Sequence, residues 1–221
     1  MKKILIFVTN HATLGDTDQA NGTYLPELTH ALQVISAAGF DYDIASIKGG
    51  SAPIYGDDID DAINTHWLAN EVFMSRINNS LAVSNLNADD YDGVFYPGGF
   101  GLLSDLVDNQ QVAAVTAAIY QRGKPVSAVC HGPAALLPIT LDDGSSILAG
   151  KTVTAFTREE EIDYGTLADI PLLIEEALTR KAGAYHKVSP WGVNVQIDGL
   201  LITGQNPSSA GAVATALVDA L

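Results

Sequence analysis

Short apolar runs of strand length alternate with longer segments of helical spacing along almost the whole 221-residue chain, and this alternation limits the fold more than any other feature. A strand that is apolar at consecutive positions is buried on both faces. A chain that crosses through a helix after each such strand builds a mainly parallel sheet covered on both sides. Lys3–Val8 reads as the first such strand. Leu25, Leu28, Leu32 and Ile35 then recur at helical spacing, and Gly39 stops that helix. Phe40–Ser46 reads as a second strand, residues 58 to about 86 as a polar and mostly helical stretch, and Gly93–Tyr96 as a short buried strand ending in "PGGFG". A helix over Asn109–Arg122 is broken by Gly123, Lys124 and Pro125, and the strand Val126–Val129 runs straight into the only cysteine. A strand over Thr152–Phe156 and a helix over Pro171–Ala182 follow. Val193–Ile197 and Leu200–Thr203, separated by Asp198–Gly199, predict a C-terminal β-hairpin. A last helix follows "GQNPSSA", and one α/β domain over residues 1–221 is expected.

Composition narrows the partners. The formal net charge is −15, so the surface repels nucleic acid and anionic membrane, and neither is expected as a partner. At 47% hydrophobic and 17% charged residues, the chain reads as globular rather than disordered. The apolar run in "MKKILIFVTNHATLG" is shorter than a signal peptide needs and lacks its cleavage site. No apolar stretch has membrane-spanning length. One cysteine allows no internal disulfide and no cysteine-based zinc site, and a cytoplasmic address is the default.

In open parallel sheets, sites form beyond the carboxyl ends of the strands. Four segments therefore meet at one edge: the loop after the first strand, "PGGFG", Cys130, and the stretch after Phe156. In "AVCHGPAAL" (residues 128 to 136), Ala128 and Gly132 are small residues two positions either side of Cys130, as a tight nucleophile elbow requires. Pro133 suits a helix start, and a thiol at a helix N-terminus is favoured as thiolate. The competing reading is an inert buried thiol. His131 is a candidate general acid or base, although adjacent residues on a regular helix do not face each other. Gly99 N–H and His131 N–H are candidates for an oxyanion hole. One of Glu159, Glu160 and Glu161 is expected to reach His131, with the other two solvated. Glu27 lies off the apolar face of its helix; it is either a surface acid favoured by the helix dipole or a buried proton carrier beside the thiol. Glu27 with His30 is a weak metal pair, His11, His66 and His186 form no metal spacing, and no metal is expected. Trp67 and Trp191 read as packing residues.

These segments, with "GTYLPEL" (22–28), "AGFDYDIASIKGGSAPI" (38–54), "DYDGVFYPGGFG" (90–101), "GKTVTAFTREEE" (150–161), "IPLLIEEAL" (170–178) and "LLITGQNPSSA" (200–210), resemble the ThiJ/PfpI superfamily. Its fold is related to that of class I glutamine amidotransferases. The branch they look most similar to contains the heat-shock-protein-31 chaperones and the glyoxalase III enzymes. The resemblance implies a flavodoxin-like three-layer sandwich. It implies Cys130 as nucleophile, His131 as triad histidine, Glu161 as its acidic partner, and Glu27 as the carboxyl that contacts the sulfur. It also implies Gly99 and His131 as oxyanion donors. Two positions depart from the branch pattern: Phe100 stands where many members have histidine, and Ala31 where proline is usual. Phe100 makes the mouth of the expected pocket more apolar.

The expected activity is therefore cofactor-free conversion of small 2-oxoaldehydes such as methylglyoxal to 2-hydroxy acids, a glyoxalase III-type lyase reaction. A small reactive carbonyl compound is the expected partner, and a homodimer the expected assembly. The alternatives are a stress chaperone that holds unfolded chains, a cysteine hydrolase (deglycase or aminopeptidase), and a redox sensor in which Cys130 oxidises reversibly.

Overall fold

A computed structural model describes residues 1–221. In chain order the elements are β1 (Lys3–Phe7), β2 (Thr23–Tyr24), α1 (Leu25–Ala37), β3 (Asp41–Ser46), β4 (Lys48–Gly50), β5 (Ile54–Tyr55), α2 (Ala62–Leu68), α3 (Glu71–Asn78), β6 (Ser80–Ala82), β7 (Gly93–Tyr96), α4 (Leu102–Asp105), α5 (Gln110–Gln121), β8 (Val126–Val129), β9 (Thr152–Val153), α6 (Arg158–Tyr164), α7 (Ile174–Lys181), β10 (Ala184–Tyr185), β11 (Val195–Asp198), β12 (Leu201–Gly204) and α8 (Ala210–Asp219). Eight strands form one sheet in the order β11-β12-β8-β7-β1-β3-β6-β4. The six inner strands are parallel, and the edge strands β11 and β4 are antiparallel to their neighbours. This is the flavodoxin-like arrangement with a C-terminal hairpin.

The sequence of β1 explains its central place. Ile4, Leu5, Ile6 and Phe7 are all fully buried, and only an inner strand covered on both faces can bury four consecutive apolar side chains. From β1 the chain moves outward through β3 and β6, then returns to build β7, β8 and β12 on the other side. Right-handed crossovers in opposite directions place helices on opposite faces and leave a switch point between β1 and β7. The side chains of β7 show both faces: Gly93 lies against Leu217 of α8, whereas the Tyr96 hydroxyl bonds Thr116 of α5.

Four expectations shift in detail. The polar stretch after residue 58 forms two short helices, α2 and α3, capped by the side chains of Asp61 and Asn70, and then contributes β6. The strand expected over 152–156 is reduced to β9, which pairs with β10 outside the main sheet. Beyond it the backbone N–H groups of Thr154 and Phe156 bond the Thr203 hydroxyl and the Cys130 carbonyl instead of a neighbouring ladder. The hairpin loop is Gly199–Leu200, because Asp198 pairs with Leu201 as the last strand residue. Its carboxylate accepts from Thr152 N–H (2.9 Å) and Lys151 (3.1 Å), which holds it in the strand. Finally, only a short 3-10 turn over Gly132–Leu136 follows Cys130. No helix is long and apolar enough to cross a membrane.

Ile6→Ala leaves a cavity in the fully buried centre of β1 and is expected to cost about 2–5 kcal/mol. Ile197→Ala, on the edge strand with 62% of the residue exposed, is expected to change stability by less than about 0.5 kcal/mol. Urea unfolding of the two variants checks this contrast.

Candidate active site

The strand β8 ends in a backbone turn that few residues tolerate. Cys130 has φ 61°, in the left-handed region that costs a non-glycine residue about 1–2 kcal/mol. Two hydrogen bonds hold it there. Its N–H donates to the Gly204 carbonyl at the end of β12 (3.0 Å), and its own carbonyl accepts from Phe156 N–H (3.0 Å). Gly132 is required by close approach, since a Cβ there would lie 2.6 Å from the Tyr96 carbonyl oxygen and 2.7 Å from that of Pro97. The turn has a chemical consequence. Regular helical geometry would keep adjacent side chains apart, but here His131 Nδ1 lies 3.3 Å from Cys130 Sγ.

The other ring nitrogen of His131 lies 2.7 Å from Glu161 Oε1, and Glu161 Oε2 accepts from the Thr166 hydroxyl. Histidine and glutamate are both buried. Glu161 is placed by α6, whose start is fixed by a capping box between Thr157 and Glu160. Of the three adjacent acids, only Glu159 is a solvated surface carboxylate; it pairs with Lys187 at 2.9 Å. Glu160 is fully buried, which corrects the expectation of two solvated acids.

Glu27 approaches the sulfur from another side. It occupies the first turn of α1 and is completely buried; the surface-acid alternative is ruled out. Its Oε2 accepts from Gly98 N–H at 2.7 Å. Gly98 has no room for a side chain, because a Cβ would fall 2.3 Å from Glu27 Oε2 and 3.0 Å from Cys130 Sγ. Burial pushes the Glu27 carboxyl up to about 8, and the bonds from Cys130 and Gly98 offset this only in part. Burial also pushes the Cys130 thiol well above its usual range, and an ionised Glu27 adds to this. The expected thiolate is therefore not the resting form. A 3-10 turn carries too little dipole to outweigh burial in an apolar pocket. The two acids hold protons jointly, and at neutral pH Glu27 keeps its own.

Above the sulfur lies a cavity of about 60 Å³, walled by aromatic rings that include Tyr24, Tyr55, Phe100, Phe156, Tyr164 and Trp191. Phe100 sits against the His131 ring at 4.5 Å between centroids, and Phe156 at 4.7 Å. The N–H groups of Gly99 and His131 donate to no protein acceptor. Trp67 is buried and packs edge-on against Tyr42 and Phe73, as a packing residue should. Trp191 is a pocket wall instead, and sequence reasoning missed it. The signal was the run Ser189-Pro190-Trp191-Gly192, a turn pattern that places tryptophan where glycine is usual. His30 pairs with Asp61 at 3.0 Å, not with Glu27.

An elbow cysteine between a His–Glu pair and a buried carboxyl, at the strand ends of a flavodoxin-like sheet, defines a class of α/β proteins built around a buried cysteine. The chain belongs to the DJ-1/PfpI family, whose model matches residues 19–220. It is 31% identical to the glutathione-independent glyoxalase HSP31 of Saccharomyces cerevisiae, over 100% of this chain and 98% of that protein. It is 30% identical to glyoxalase 3 of Candida albicans, over 95% and 94% of the two chains. Among solved structures, the rapid encystment protein of Francisella tularensis superposes with a TM-score of 0.95 at 32% identity, covering 100% of this chain and 99% of that one. Glyoxalase III of Candida albicans superposes at 0.87 with 27% identity, covering 100% and 97%.

The raised Glu27 carboxyl has a stability consequence whose sign is fixed. With an ordinary value of 4.5 and a folded value of about 8, the native state binds more protons than the unfolded chain between these limits. Its contribution is complete below about pH 4.5, is lost as pH rises, and levels off above about 8. The loss amounts to about 5 kcal/mol at most. Glu27→Gln lacks this dependence, so its stability is expected to rise relative to the unaltered protein between pH 5 and 8, as guanidinium unfolding at the two pH values measures.

Proposed function

We propose that the protein is a glutathione-independent glyoxalase that converts small 2-oxoaldehydes, methylglyoxal above all, to 2-hydroxy acids. One observation carries the reading. A single sulfur is flanked by His131 at 3.3 Å and by the buried Glu27 carboxyl packed with it against Gly98, under a cavity of about 60 Å³. The cavity is small and walled mainly by aromatic rings, which suits a short uncharged carbonyl compound. The relatives named glyoxalase support the same conclusion.

In the proposed reaction the Cys130 sulfur attacks the aldehyde carbon. The C–S bond forms, and the thiol proton passes by way of His131 to the aldehyde oxygen, giving a hemithioacetal. Gly99 N–H and His131 N–H hold that oxygen while it carries charge. Glu27, ionised in this step, removes the proton from the former aldehyde carbon while His131 relays the hydroxyl proton of the first oxygen to the ketone oxygen, giving an enediolate. Glu27 returns its proton to the ketone carbon, and the first oxygen becomes the thioester carbonyl. The product is a 2-hydroxy acyl thioester, which water cleaves with His131 as base and Glu161 steadying the imidazolium. One carbon is oxidised and its neighbour reduced, so the sequence balances with water alone and no redox cofactor is required.

Cys130→Ala is expected to abolish lactate formation from methylglyoxal, and any residual turnover above the uncatalysed rate removes the nucleophile assignment. Glu27→Gln is expected to accumulate the methylglyoxal adduct on Cys130, visible by intact-protein mass, with kcat lowered by about 10²-fold or more. Because the shuttle needs the carboxylate, kcat/KM of the unaltered enzyme is expected to rise as pH increases through about 8, where Glu27 ionises. A flat profile across that range places the proton transfer on another group.

A further inference from the structure

We infer that Trp191 sets the size limit of the substrate pocket, and that the buried Glu160 is the positioning residue that holds it there. This goes beyond the glyoxalase reading by assigning its selectivity; the assignment of Trp191 as a wall above Cys130 stands on geometry alone.

The turn that carries Trp191 is unusual in its chemistry. Gly192 N–H donates to the Ser189 carbonyl at 3.1 Å, which closes a four-residue turn with Pro190 at its second position. Proline fixes a negative φ there, and Trp191 at the third position has φ 65°. The combination is a type II turn, whose third position ordinarily takes glycine or asparagine. A bulky residue keeps such a conformation only when its surroundings over-determine it, and strain of this kind concentrates at sites of function.

Glu160 supplies much of that determination. Its Oε1 accepts from Trp191 N–H (2.8 Å), Gln205 Nε2 (3.1 Å) and Asn206 Nδ2 (2.7 Å). Its Oε2 accepts from the N–H and hydroxyl of Thr157 at 2.9 and 2.8 Å. Asn206 also donates to the Gly192 carbonyl at 2.8 Å, so both sides of the turn are tied to the end of β12. The same carboxylate therefore fixes the start of α6, which carries Glu161, and the loop that carries Trp191. A glutamine there would turn an N–H₂ group toward one of the two donor sets, so the isosteric change is not conservative.

The ring of Trp191 closes the outer side of the cavity. It meets Phe156 edge-on at 5.6 Å and Tyr164 at 6.3 Å, and these rings in turn flank His131 and Phe100. It is 40% exposed, so its removal opens the cavity outward without excavating the core. With Trp191 in place the pocket suits short 2-oxoaldehydes; without it, aryl-substituted ones fit.

Cys130 is the only thiol, so its alkylation reads access to the sulfur independently of turnover. Rates with iodoacetamide and with the larger iodoacetanilide are compared by intact-protein mass, and the ratio cancels any change in thiol acidity. Trp191→Ala is expected to raise the iodoacetanilide-to-iodoacetamide rate ratio about tenfold, and Trp191→Phe less. Glu160→Gln moves it in the same direction although Glu160 touches neither reagent. Asn206→Ala, which removes one strut, shifts it less and serves where Glu160→Gln does not fold. In the enzymatic arm, the kcat/KM ratio for phenylglyoxal over methylglyoxal rises with the same order of variants. An unchanged alkylation ratio in Trp191→Ala overturns the size-limit assignment. An unchanged ratio in folded Glu160→Gln, or in Asn206→Ala where that variant is used, overturns the positioning role. An altered ratio in protein that makes no lactate leaves Trp191 as the gate and overturns the glyoxalase reading instead.

Discussion

The left-handed turn at Cys130 is the constraint on which the site depends. A φ of 61° is unfavourable for cysteine, and two backbone hydrogen bonds, to Gly204 and from Phe156, hold it from both sides. These partners belong to separate segments of the chain, so the elbow forms only when the parallel pairing of β8 with β12 is in register and the chain after β9 is docked. The absence of a Cβ at Gly132, against the carbonyls of Tyr96 and Pro97, lets the turn press onto the end of β7. What results is a contact that sequence adjacency alone disfavours, a cysteine and the following histidine side by side. Local strain is compensated by the sheet, and the sheet edge thereby acquires its chemistry.

Three buried glutamates surround this elbow, and their surroundings give each a different character. Glu160 accepts five hydrogen bonds from protein donors and organises two loops. Glu161 lies between a histidine ring and a threonine hydroxyl and orients the imidazole. Glu27 has one backbone N–H, and its Oε1 meets no hydrogen-bond partner in the protein beyond the neighbouring sulfur. That poverty of donors, together with complete burial, raises its carboxyl to about 8 despite its place in the first turn of a helix, where the dipole favours ionisation. The comparison decides which effect wins: an N-terminal dipole contributes about 0.3–1 kcal/mol, whereas a shift of this size corresponds to several.

Much of this was legible in the sequence, and the boundary has a physical cause. Consecutive apolar residues in Lys3–Val8 and Val126–Val129 identify doubly buried strands, and small residues around Cys130 identify an elbow. Both are local signals. The partition of Glu159, Glu160 and Glu161 was not legible from the residues alone, because the donors that bury Glu160 come from Gln205, Asn206 and the Trp191 loop, more than thirty residues away. The protonation of Cys130 was misjudged for a related reason. The residues after it suggest a helix, but the chain makes only a short 3-10 turn, and the desolvation that dominates is supplied by aromatic rings from five other segments. Trp191 reads as a packing residue in the sequence because a turn pattern announces a backbone conformation, not the pocket that the side chain will close.

The acidity of the whole molecule fits the chemistry proposed at its centre. A net charge of −15 sets a negative potential around the site, which would oppose an anionic substrate. A 2-oxoaldehyde is neutral and enters an aromatic cavity without that opposition. Hydrolysis of the thioester converts it to a carboxylate, which forms beside Glu27 and Glu161 in a site of low dielectric. Like charges in such surroundings repel far more strongly than in water, so with Glu27 ionised, as the proposed proton transfer requires, the step that releases the sulfur also destabilises the bound product. The burial that makes Cys130 hard to ionise at rest thus also disfavours the carboxylate once it forms, and no lysine or arginine stands among the lining residues to hold it.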